Sequence, residues 1–324
     1  MALLVAVAGL LAGIAVQAAA FVPPSGDLTV YGKGYGHGRG MSQYGAQGAA
    51  MAGLAARQIL DFYYPGTSAA TTKGYVRVWT TADTSPGIYV RPAVGLRARS
   101  LKTNTAWTLP RSSTITAWIL AAYGEHQTRL SYYRSTSRTW VLWKTLAGMG
   151  QFEGRYEASV VTMVMPSGST ATYRGRLRTA DRAGTDVDTI NVLTMEYYLQ
   201  GAVPKEAITT WRPGALQAQA VAARTYAASQ VGSHSDYDLC DTVACQVYGG
   251  YAAEVASTNA AVVATSNQIR TYAGKPILAQ FSSSNGGYTA PGVQPYLIAK
   301  PDPYDGRAGN GNPNSDWTVS LDRA

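Results

Sequence analysis

The chain has 324 residues, 46% of them hydrophobic and 14% charged, against the roughly 25% charged that soluble domains average. This excludes a disordered or low-complexity chain, and the length suffices for two domains of about 150 residues, with cores that need no metal or disulfide to close them. Lys and Arg total 27 against 19 Asp and Glu, a net charge of +8 that favours an anionic partner. No Lys/Arg-rich cluster marks the sequence, so nucleic acid is not expected.

Residues 2–16 are almost continuously apolar and run into Gln17-Ala-Ala-Ala20, a small-residue cleavage site, so residues 1–20 are expected to be an export signal. The expected location is extracytoplasmic: secreted after cleavage, membrane-anchored if uncleaved, since about 20 apolar residues span a bilayer. Cys240 and Cys245 are the only cysteines. In an oxidising compartment they are expected to form a disulfide closing a short loop, worth about 2 kcal/mol by the chain-entropy relation. The alternative adds His234 and makes the three residues zinc ligands with a fourth position open; otherwise no cofactor is expected.

The glycine-alternating Gly34-Tyr-Gly-His-Gly-Arg-Gly40 reads as a ligand-facing loop or a tightly packed strand. Residues 46–64 place Ala50, Leu54, Ile59 and Phe62 at helical intervals before Pro65-Gly66, predicting one helix. From 74 to about 180, alternating runs rich in Val, Thr, Tyr and Trp predict strands at 75–79, 114–120, 138–143, 158–164 and 172–178, with a hairpin turn at Pro166-Ser-Gly-Ser169. Residues 193–200 predict a short amphipathic piece ending near Gly201, and Pro204 to Glu206 an irregular turn. Pro213 suits a first helical position, and no further Gly or Pro interrupts 215–229. Seven alanines along that helix permit close packing, so it is expected to be central. A strand at 277–281 then feeds the polar, glycine-rich loop 282–288, a kind of segment that often carries function. The expected fold class is α+β: β-rich mixed sheets with a central alanine-rich helix in the catalytic core, plus a β-rich middle region.

Nucleophilic and phosphate-binding motifs are missing. Gly40-Met-Ser42-Gln-Tyr-Gly45 is one residue too long for a nucleophile elbow, and the alternating glycines do not follow a strand of a βαβ unit. A carboxylate remains. Glu206 lies just before the long helix, where apolar surroundings would raise its pKa and make it a general acid near neutral pH.

Several motifs resemble those of SpoIID/LytB-domain proteins: Leu193 to Glu206 with its Val203-Pro-Lys-Glu206, Trp211 to Tyr226, Gln246-Val-Tyr-Gly-Gly-Tyr251, Phe281-Ser-Ser-Ser-Asn-Gly-Gly-Tyr-Thr289 and Gly34 to Gln43. The resemblance covers about 155–305 together with 31–48. It implies a peptidoglycan lytic transglycosylase that cleaves the glycan between N-acetylmuramic acid and N-acetylglucosamine, with Glu206 as the single acid/base. It implies substrate-binding roles for Arg224, Tyr226, Ser282, Ser283, Ser284, Gly286, His37 and Gln43. Asp236, Asp238 and Asp241 are candidates for the second carboxylate that a hydrolytic glycosidase needs. Implied partners are peptidoglycan glycan strands and, for an enhancer or wall-binding member of the family, a cell-wall amidase. In some relatives a His and two Cys bind zinc, which His234, Cys240 and Cys245 resemble.

The Gly-His-Gly motif commonly follows the triple-serine loop in this family and here precedes it; a permuted order would fill the same spatial slot. The expected division is a signal at 1–20, a glycine-rich segment with a helix at 21–73 packing on the core, a β-rich insertion or accessory domain at 74–150, and the SpoIID/LytB-like core at 151–324.

Overall fold

The computed structural model describes residues 28–124, 126–180, 188–307 and 309–321, so the expected export signal lies outside the described residues. Leu28–Gly32 and Trp317–Leu321 pair in a two-stranded sheet. Lys33–Trp317 forms the main body, and its architecture is α+β.

Alternation in the middle of the chain builds two sheets. The larger has seven strands in the order Leu239–Cys240, Tyr75–Trp79, Thr189–Thr194, Arg176–Thr179, Gly150–Glu153, Arg97–Ser100, Ala106–Thr108. The other has six, Thr139–Ala147, Gln127–Arg134, Ile115–Ala122, Gly87–Val90, Val160–Val164 and Thr170–Arg174. Strands from both sides of position 150 share both sheets. The inward rows, such as Val76, Val78, Phe152 and Leu177 on the first and Ile88, Trp118, Leu120 and Met163 on the second, join one apolar core.

Residues 172–178, expected as one strand, are two. The chain turns at Gly175 (φ 77°), passing from the six-stranded sheet into the seven-stranded one. The expected hairpin turn is present: Val160–Val164 pairs antiparallel with Thr170–Arg174, and the Met165 N–H donates to the Ser169 carbonyl at 2.9 Å.

Five α-helices are described: α1 (Gln43–Met51), α2 (Ala56–Tyr63), α3 (Met195–Glu206), α4 (Pro213–Gln230) and α5 (Ala256–Ala264). The helix expected over 46–64 is therefore broken in two at the Ala52-Gly53-Leu54 link, where Gly53 has φ 91°. The 277–281 segment is extended mainly at its end: only Phe281–Ser282 pairs, in parallel with Met41–Ser42.

The irregular turn expected at Pro204 to Glu206 is instead the last turn of α3. Thr194 caps the helix, accepting the Tyr197 N–H at 3.4 Å. Gly201 lies inside it, at a point where a side chain would collide with Tyr248 and the Gly250 carbonyl, and Pro204 forfeits one ladder bond only two residues from the end.

The alanines of α4 explain its central place. Ala220, Ala223 and Ala227 face the core shared with the sheets. Ala215, Ala218 and Ala222 face a second core containing Met41, Ile59, Tyr64, Ile277 and Leu297. A helix buried on both sides needs small side chains for its neighbours to approach.

Arg224 is fully buried on that helix. Its Nε and a terminal nitrogen donate to Glu196 on α3 at 2.9 and 2.7 Å, and the Gln268 and Val262 carbonyls accept at 3.2 Å. The guanidinium thus joins α3, α4 and α5. Arg224→Ala should cost about 3 kcal/mol, as expected for breaking a buried pair, measured by urea denaturation; a loss within about 0.5 kcal/mol, the range of ordinary surface changes, would contradict this role.

Candidate active site

Glu206 ends α3 and lines a cleft of about 460 Å³. The backbone N–H of Val247 donates to Glu206 Oε1 at 2.8 Å, and Gln43 Nε2 donates to the Glu206 carbonyl at 2.8 Å. Burial pushes the Glu206 carboxyl above the ordinary glutamate value, and the Val247 N–H opposes part of that rise. Tyr226, on α4 and also lining the cleft, has its phenol raised by burial and then by the Glu206 charge.

Three further segments make the walls. Val243 to Val247 form one, tied at its base by the Cys240–Cys245 disulfide. Tyr35, Gly36 and His37 form a second, and Gln280 to Ser283 a third. The last two are held together: Tyr35 bridges antiparallel to Ser284, the Gly38 N–H donates to Ser282 Oγ at 3.2 Å, and Met41–Ser42 pairs with Phe281–Ser282. The His37 imidazole is pushed down by burial and by Arg39. Its Nδ1 accepts the Arg39 N–H at 3.0 Å, so Nε2 carries the proton and is the ring's remaining donor.

Of the residues singled out in the sequence, Glu206, Tyr226, His37, Gln43, Ser282 and Ser283 line the cleft. Arg224, Ser284 and Gly286 do not. Arg224 is spent on Glu196, as above. Ser284 is buried and donates to Asp305 Oδ2 at 2.8 Å, in a network where Asp305 also accepts from Ser42 and from the Asn285 N–H. Gly286, at φ 67°, lies against the backbone of Lys33 and Gly34, so it allows the two segments to approach and offers nothing to a ligand.

Among the described residues Glu206 is the one carboxylate lining the cleft. Asp238 is bound to Arg77 at 2.7 Å, Asp241 accepts from Thr81 at 2.7 Å, and Asp236 accepts from Ser235 at 2.8 Å. The alternative zinc set does not fit as arranged. The two sulfurs are bonded to each other, the His234 ring stacks on Tyr237 with centroids 4.3 Å apart, and no group of three or more His, Cys, Asp or Glu among the described residues could hold a metal.

Sequence reasoning missed Tyr35, Gln246 and Val247 as cleft residues. Gln246 is buried; its Oε1 accepts from Tyr198 Oη at 2.9 Å, while its Nε2 has no partner among the described residues. An oriented donor without an acceptor beside a protonatable carboxyl is suited to a ligand carbonyl or hydroxyl. The signal for it was its place at the head of the Gln246 to Tyr251 motif.

Residues 183–272 match the family model SpoIID, described as "Stage II sporulation protein". The chain is 41% identical over 131 residues to a Bacillus subtilis protein named "Amidase enhancer", covering 39% of this chain and 17% of that protein. It is 32% identical over 136 residues to B. subtilis "Stage II sporulation protein D", covering 35% of this chain and 40% of the relative. Against the protein of that name from Bacillus amyloliquefaciens it is 32% identical over 146 residues, 37% of this chain and 42% of the relative. The chain thus spans less than half the length of each of these relatives. No helix among the described residues is long and apolar enough to cross a membrane. The motifs around the cleft and the matches agree: the chain contains a region, residues 183–272, that is similar to the SpoIID family.

Proposed function

We propose that the protein is an exported peptidoglycan lytic transglycosylase in which Glu206 is both acid and base. The observation that carries this reading is a carboxylate raised by burial, the single one among the described residues of a cleft whose other polar side chains are hydroxyl, amide and imidazole groups. In its protonated form Glu206 donates to the glycosidic oxygen between N-acetylmuramic acid and N-acetylglucosamine, and that C–O bond breaks. The resulting carboxylate takes the proton from the muramic acid 6-hydroxyl, whose oxygen bonds to C1 and closes a 1,6-anhydro ring. No water enters the products and the carboxyl is regenerated. One group therefore suffices, whereas hydrolysis calls for a second carboxylate at a fixed separation. Ser282, Ser283, the proton-bearing His37 nitrogen and Gln246 are donors for the sugar's oxygens, and Tyr226 offers a ring with a polar tip. Gln43 acts through Glu206, fixing the end of α3. The excess of positive charge favours the anionic cell envelope as the setting, an attraction that salt weakens.

The 41% identity to a protein named "Amidase enhancer" favours a second reading, a wall-binding protein that stimulates a cell-wall amidase. The two differ in what Glu206 does. Under the first, Glu206→Gln should lower glycan release by at least about 100-fold, the usual contribution of a general acid, and the wild-type products should carry anhydro ends by mass spectrometry. Reducing ends would indicate hydrolysis, and a fully active Glu206→Gln protein would support the enhancer.

The raised Glu206 pKa has a further consequence for stability. A carboxyl whose folded pKa lies above its unfolded value destabilises the fold when forced to ionise, a cost fully present above the folded pKa and gone below the unfolded one. Glu206→Gln should therefore have a Tm equal to or above wild type at pH 7, the gain shrinking as pH falls toward 4. A Tm loss at pH 7 that persists at pH 4 would show that the carboxylate is instead a stabilising group.

A further inference from the structure

The outward face of the seven-stranded sheet carries more positive charge than it neutralises. Strand pairing sets Arg97, Glu153, Arg176, Val192 and Arg77 in one row across five adjacent strands, and Arg99, Gln151, Arg178, Ile190 and Trp79 in the next. The rows are about 7 Å apart, two residues along each strand. Residues between them, Ala98, Phe152 and Leu177, point into the core, so the arginines share the opposite face. Arg77 is matched by buried Asp238.

The other four, with Arg155, line a groove of about 640 Å³ whose carboxylates among the described residues are Glu153 and Glu157. Glu153 is 2.7 Å from Arg99 and 3.7 Å from Arg97, and Glu157 pairs with Arg176. Neither Arg178 nor Arg155 forms an ion pair within 4 Å among the described residues, although Arg178 Nη2 donates to the Asp236 carbonyl at 3.3 Å and feels the Asp236 and Asp238 charges. The Arg178 Nε is buried without an acceptor, and Arg155 lies over the exposed Tyr156 ring at 5.5 Å. Among the described residues, ion pairs thus account for Arg97, Arg99 and Arg176, while Arg155 has none and the Nε of Arg178 keeps a desolvated donor.

We infer that this groove binds a polyanionic chain, its guanidinium forks taking successive oxyanions of the ligand. Phosphate and carboxylate both fit a planar fork, and a concave, low-dielectric wall of one charge concentrates such a ligand. The inference stands apart from Glu206, which contributes nothing to the groove.

The test is binding of long-chain polyphosphate and of poly-L-glutamate to the full chain, read by calorimetry at low and high salt. Arg97→Glu with Arg155→Glu changes the net charge as much as Arg111→Glu with Arg138→Glu, a control pair of exposed residues outside the groove. Circular dichroism checks that both variants keep the wild-type melting curve. The groove pair should weaken binding at least about tenfold and the control pair by less than about twofold, the difference shrinking with salt. Binding of one polymer and not the other identifies the anion carried by the ligand and supports the site. Equal losses in both pairs, no binding of either polymer, or binding of duplex DNA alone would overturn it.

Discussion

A carboxyl group held mostly out of water at the end of a helix is the constraint on which the rest of this molecule turns. An isolated charge there is costly, and among the described residues the one compensating donor to the Glu206 side chain is the Val247 N–H. Keeping the group in place falls to its surroundings. Gln43 holds the carbonyl of the same residue, and the Arg224 to Glu196 pair fixes the other end of α3 against α4. Those contacts join residues far apart in sequence, so the cleft is a product of the whole main body and not of one loop.

The order of segments along the chain matters less than their pairing. The glycine-rich stretch precedes everything else in the main body, yet it reaches the triple-serine turn through the parallel pairing of Met41–Ser42 with Phe281–Ser282. The segment after that turn completes the arrangement from below. Asp302 accepts from Tyr63 and Asn285 at 2.7 Å, and buried Asp305 gathers Ser42 and Ser284. These two carboxylates hold the wall of the cleft without entering it, which is how a turn rich in serine and glycine becomes a fixed set of donors.

What could be read from sequence follows from how local the cause is. Pro213 and the run of alanines announced α4 because capping and small-residue packing are properties of that segment alone. The alternating strands were legible for the same reason. The continuation of α3 through Gly201 and Pro204 was not, since the glycine answers to Tyr248 and Gly250 across the fold. Arg224, Ser284 and Gly286 carried the right motif and a different job: their partners Glu196, Asp305 and Lys33 lie 28, 21 and 253 positions away, and only tertiary structure brings them together. Arg97 with Arg99 and Arg176 with Arg178 alternate within single strands, but their meeting on either side of Glu153 and Gln151 was not legible, because the sheet register assembles it.

The central claim is that the Glu206 carboxyl stays protonated further up the pH scale than an ordinary glutamate. Titrating protein carrying carbon-13 in its glutamate carboxyls, with Glu206→Gln to identify the resonance, measures this directly by NMR. The account predicts a midpoint above that of the exposed glutamates. A midpoint at or below theirs would mean that the Val247 hydrogen bond outweighs burial, and the proposed acid would lack its proton.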